Sequence, residues 1–166
     1  MEINELYLKT AFCCMACDGE IASEELELVK HFAESSSYFE NMNVQSKLNE
    51  YVSEINGNGH VFLKGFINNV CDLHLNEQQE LELAKIAIKM IESDNKIEYS
   101  EISFFKQIRG KLNVSDEKLM DVFRKETLFN KFPEVKPEDF LLPDIAIIDD
   151  WDFQSSFEKV NLLEVP

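Results

Sequence analysis

Two acidic pairs carry the clearest chemical potential in this chain. Asp18 and Glu25 stand seven residues apart, and Asp94 and Glu101 repeat that spacing. Glu20, Glu24 and Glu98 lie close by. Carboxylates converging from two loops would supply the oxygen ligands that Ca²⁺, Mg²⁺ or Mn²⁺ prefer. Helix ends account for the same spacing. An Asp can close one helix, and a Glu in the first turn of the next meets the helix dipole and unpaired backbone N–H groups. Neither copy has the alternating oxygen ligands and closing Glu of an EF-hand loop.

The other reactive residues are less organised. Cys14-Met15-Ala16-Cys17 is formally C-x-x-C, with Cys13 beside it. Zinc or redox chemistry is conceivable there. The segment lies inside a predicted helix, however, and no second cysteine pair follows. Cys13, Cys14, Cys17 and Cys71 therefore read as small core residues of a reducing cytoplasm, not as disulfides. His31, His60 and His74 are widely separated, and no nucleophile motif accompanies them; they read as surface or helix-end residues. Neither phosphate-binding glycine signature is present. The chain is expected not to be an enzyme, with a metal-dependent hydrolase built on the clustered carboxylates as the remaining catalytic alternative.

Helices must position these groups. Only 5 Gly and 4 Pro occur in 166 residues, too few turn residues for an all-β fold. Apolar spacing predicts helices over residues 3–17, about 23–34, through Val44 to Ile55, about 60–73, from Glu77 to Ile91, up to about Leu112, and after Ser115. Asn56-Gly57-Asn58-Gly59 is a stop. Asn76 and Gln79 fit a capping box, and Ser115 fits a helix cap. The helix after Asn76 is apolar almost all round, which predicts a central position.

Composition sets the outer limits. Apolar residues make up 45% of the chain, including 13 Phe, enough for a real core. The net charge of −16 disfavours direct contact with nucleic acid or anionic membrane. It leaves cationic surfaces and metal ions as natural ligands. No apolar run is long enough for a membrane span, and no signal-peptide core appears at the N-terminus, so a cytoplasmic location is expected.

An internal repeat ties the acidic pairs to the helices. A shift of 76 residues lays Ala11–Lys30 on Ala87–Lys106 without a gap. Ala11, Asp18, Ile21, Glu25 and Lys30 meet Ala87, Asp94, Ile97, Glu101 and Lys106. Both copies read helix, Asp break, isoleucine, Glu, helix. Gly19 and Asn95 share a position, and both residue types tolerate positive φ.

Met15-Ala16-Cys17-Asp18-Gly19-Glu20-Ile21-Ala22-Ser23-Glu24-Glu25 resembles the signature of the TerB (tellurite-resistance) family, and Ile91–Glu101 is similar. The resemblance covers about residues 3–126. It implies a compact all-helical bundle from two related halves, about 3–56 and 77–126. It also implies a place in tellurite-resistance, stress-response or phage-defence settings, an acidic cluster proposed to bind divalent metal, and no established catalysis.

Beyond this domain, Pro133, Pro137, Pro143 and Pro166 block long helices. Residues 128–166 are expected to form an extended acidic tail. Ile145-Ala146-Ile147-Ile148 is strand-like, Trp151 sits between aspartates and Phe153 follows Asp152. Ile145, Ile147, Trp151 and Phe153 are the candidate contacts to a protein partner. Folding back onto the bundle would cover the same side chains.

Overall fold

The computed structural model describes residues 1–17, 28–29, 31, 37–39, 42–93, 97 and 99–141. Among these the chain is all-helical, as its composition predicts, with seven α-helices and no strand. The helices are α1 (Ile3–Ala16), α2 (Val44–Gly57), α3 (Gly59–Asp72), α4 (Glu77–Glu92), α5 (Tyr99–Arg109), α6 (Asp116–Lys125) and α7 (Leu128–Lys131). Two short 3-10 turns, Ser37–Phe39 and Pro137–Phe140, complete the set.

Local chemistry starts four of the helices, α2, α3, α4 and α6. The Asn43 side chain accepts from the Ser46 N–H and opens α2. Asn58 caps on both sides: its N–H donates to the Glu54 carbonyl at the end of α2, and its side chain accepts from the Val61 N–H of α3. The expected stop is thus a corner of one residue. The capping box at Asn76 is present in full, with Gln79 N–H to Asn76 Oδ1 at 2.8 Å and Asn76 N–H to Gln79 Oε1 at 3.0 Å. Ser115 accepts from the Lys118 N–H and opens α6. His74, just past the end of α3, takes the left-handed conformation usually given to glycine, at φ 48°.

Two helices share the centre. The sequence singles out α4, and its Leu83, Ala84, Ile86, Ala87, Ile88, Met90 and Ile91 are buried. Against it packs α1, in which every side chain from Leu6 to Cys17 is buried. The polar members of α1 explain why its centrality is hidden in the sequence. Thr10 donates to the Leu6 carbonyl at 2.7 Å and satisfies its hydroxyl within the helix. Lys9 lays its stem in the core and finds partners on α3. Helices α2 and α3 pack on each other and on α1, while α5, α6 and α7 pack around α4.

Of the nine repeat positions described in both copies, five are buried in both and four differ, among them Cys13 against Lys89 and Leu28 against Phe104. Ala11 and Ala87 are buried, as are Met15 and Ile91, and Val29 and Phe105.

The body runs further than the sequence suggests. Residues 128–141, expected to begin the tail, pack onto the bundle. Leu128, Phe132 and Phe140 are buried. Phe140 meets Phe105 and Phe129 edge to face, each at 5.5 Å between ring centroids. No long helix forms over residues 128–141, and Pro137 opens a 3-10 turn that carries Phe140 into the core. Rings buried this way contribute more than their short segment's helix propensity suggests.

Candidate functional site

Among the acidic residues of the repeated loops, Glu101 is described. It lies in the first turn of α5 and is buried, 3% exposed. Asp18, Glu20, Glu24, Glu25, Asp94 and Glu98 lie outside the described residues. Ile97, the anchor of the second loop, is partly buried against the core. Among the described residues no group of three His, Cys, Asp or Glu side chains could hold a metal ion. The tail candidates Ile145, Ile147, Trp151 and Phe153 also lie outside the described residues.

The cysteines of the C-x-x-C segment are core residues. Cys13, Cys14 and Cys17 are buried on α1 or at its end, and the Cys17 thiol donates to the Cys14 carbonyl at 3.3 Å. Burial pushes the Cys13 thiol well above its ordinary range, opposed only in part by the Lys9 charge. A thiol held protonated in this way is a poor nucleophile and a poor metal ligand. Cys71 departs from expectation. It sits near the exposed end of α3, facing solvent. His31 and His74 are exposed, and His60 is half-buried at the start of α3.

Two buried carboxylates escape sequence reasoning, because their partners are distant in the chain. Glu80 on α4 accepts from the backbone N–H groups of Asn113 and Val114, both at 2.8 Å. It holds the loop that leads into α6. Glu126 ends α6, buried, with the Lys89 ammonium 3.8 Å away. Glu80 sits in the first turn of a helix, where acidic residues are ordinary, so nothing in its spacing marks it out.

Two of the surface hollows are lined by described residues. One, of about 500 Å³, runs between α4 and α6, with Lys85, Lys89 and Lys125 facing Glu82, Glu92 and Glu126. Its charges largely balance, and Lys89 is committed to Glu126. The other, of about 460 Å³, lies where α2 meets α3 and reaches down to α1. Phe62 and Lys9 line its inner part, with Val61, Gly57, Gly65, Ser53, Glu54 and Asn58 around it. Val61 is 64% exposed, the most exposed large apolar side chain among the described residues. Lys9, only 9% exposed, donates to Asn69 Oδ1 at 3.0 Å and lies 4.9 Å from the centre of the Phe62 ring. The second hollow therefore combines an apolar wall with a buried cation, a pairing suited to an apolar group that carries a carboxylate.

Among the described residues no helix is long and apolar enough to cross a membrane. No family model matches the chain, and comparison with curated proteins and with solved structures found no match.

Proposed function

We propose that this chain is a TerB-like interaction protein. It serves as a non-enzymatic helical component of a bacterial stress-response or defence assembly and docks to a protein partner through its acidic surface and aromatic tail. The observation that carries this reading is the closure of the bundle by Phe140. That ring completes an aromatic cluster with Phe105, Phe123 and Phe129. The apolar residues of the candidate docking segment, Ile145 to Phe153, follow Phe140 in the sequence, the last core residue among those described. A net charge of −16 favours a partner with a basic face. The resemblance rests on the repeated motif, and the matching burial of Ala11 with Ala87 and Val29 with Phe105 supports it.

The test compares the full chain with one ending at Leu142, each used to recover proteins from a bacterial lysate. The shortened chain should keep its helical signal and its melting temperature and lose the partner. Recovery of the same proteins by both would rule out a recruiting tail.

A second reading, a divalent-metal sensor at the repeated loops, draws support from Glu101. Its carboxylate is buried at the mouth of the second loop. The charge of Glu82, in the first half of α4, acts on Tyr7, in the first half of α1. This proximity favours an arrangement in which the loops that follow both helices leave from one end. Thermal melts with Ca²⁺, Mg²⁺ and Mn²⁺ test it, on wild type and on Asp18→Ala/Asp94→Ala. An ion at a hundred times its Kd adds about 2.7 kcal/mol, or roughly 5–10 °C at this size. A shift kept in the double variant would remove the loops from consideration.

A further inference from the structure

Lys9 is an ammonium in an unusual position. It is nine-tenths buried, yet its described partners are one neutral oxygen, on Asn69, and one aromatic face, on Phe62. An ammonium has three donors, and a buried charge is costly unless an opposite charge or full hydrogen bonding compensates it. Lys9 lines the hollow between α2 and α3 rather than a closed core. A carboxylate entering that hollow would meet a cation whose partners among the described residues are uncharged, in low-dielectric surroundings where such a bond is strongest.

The walls point the same way. Gly65 sits inside α3, where glycine weakens a helix relative to alanine. A Cβ there, or at Gly57, would meet nothing within 4 Å. Packing within the bundle thus does not demand either glycine, and each leaves backbone open at the hollow. Val61 stands exposed at the rim and Phe62 lies deeper. Val61 offers apolar surface to an aromatic side chain, and Lys9 offers a positive charge to a carboxylate beside it.

This chain carries that chemistry. In Asp149-Asp150-Trp151-Asp152-Phe153 each aromatic residue has an aspartate beside it. About ten residues separate Leu141 from Trp151. Extended, they span up to about 33 Å, close to the width of a bundle of this size. We propose that the Lys9 hollow between α2 and α3 is the docking site for the Asp149–Phe153 segment of the same chain, an aspartate pairing with Lys9 and an aromatic ring resting on Val61. Glu54 on the hollow's wall opposes the segment's charge, which keeps the seat weak enough to release. The proposal goes beyond the partner reading and holds whether or not a partner competes for the segment.

Trp151 is the chain's single tryptophan, so its fluorescence reports the seat directly in the full-length protein. Acrylamide quenching is compared with that of a synthetic peptide of residues 147–155. A segment docked about two-thirds of the time lowers quenching about threefold. Lys9→Met, which keeps the apolar stem, and Val61→Asp should each restore peptide-like quenching. Glu54→Gln should deepen the protection. Val61 is exposed, so its variant keeps the test valid if Lys9→Met impairs folding. Wild-type quenching equal to the peptide's would overturn the proposal. So would protection that survives Val61→Asp, or protection that appears only as protein concentration rises.

Discussion

Replacing Glu80 by alanine would strand two backbone N–H groups, the part-buried one of Asn113 and the buried one of Val114. Hydrogen bonds to a charged acceptor are worth about 1.5–3 kcal/mol each, and orphaned donors carry their own penalty. Glu80→Ala should therefore lower stability by roughly 3 kcal/mol in urea unfolding, and Glu80→Gln, which keeps an acceptor oxygen, by less. Equal losses would mean that a neutral acceptor oxygen cannot replace the carboxylate there. Alkaline pH probes other buried groups. Burial, helped by the Glu82 charge, pushes the Tyr7 hydroxyl up to about 12, and burial raises Tyr51 and Cys13 further. Unfolded, these groups lose their protons near pH 9 to 10. Their contribution to stability is thus complete below pH ~9 and declines as pH climbs toward the folded-state values. Tyrosinate absorbance should rise together with loss of helical signal, and Tyr51→Phe should weaken the coupling. Tyrosinate forming near pH 10 in a fully helical protein would contradict this. At His74 the left-handed backbone, φ 48°, would suit glycine.

Elements differ in how openly the sequence declares them. Periodic spacing gives α2 and α3 to within a residue or two, because their apolar faces are uninterrupted. Asn76 and Ser115 announce α4 and α6, since a capping side chain needs only neighbours close in sequence. What depends on distant partners is hidden. The centrality of α1 is masked by Lys9 and Thr10, whose polar ends are satisfied on α3 and within the helix itself. The hollow beside Lys9 is invisible for the same reason, as it joins residues from three helices. Cys71 sits in an apolar stretch but faces solvent, because it falls outside the stripe formed by Phe66, Ile67 and Val70. Proline content conceals the anchoring of Phe140, which a ring cluster rather than a helix holds in place. A chain ending at Phe132 should accordingly be less stable than one ending at Leu142 by about 3–5 kcal/mol, the usual cost of losing a buried Phe. Phe140→Ala in the full chain should reproduce most of that loss. Equal melting temperatures for both truncations would mean that the ring contributes nothing.

At the scale of the whole molecule, a charge of −16 on 166 residues favours expansion. The described ion pairs lie mostly at the surface, such as Arg109 with Asp116 at 2.7 Å, and each adds little. Raising NaCl from about 20 mM to about 300 mM shortens the screening length severalfold and should raise the Tm by a few degrees. A fall would show that local pairs outweigh the general repulsion. The central position of α1 bears on the making of the protein. Leu6 to Cys17 is buried on every side, largely by α3 and α4. During synthesis α1 emerges from the ribosome long before either of them. For all that time it presents an adhesive surface that nothing yet covers, and its contacts await loop closure over some sixty to seventy-five residues. The nascent chain is therefore at its most prone to aggregate until Glu92 has cleared the exit tunnel, and that interval is where a chaperone would find its client.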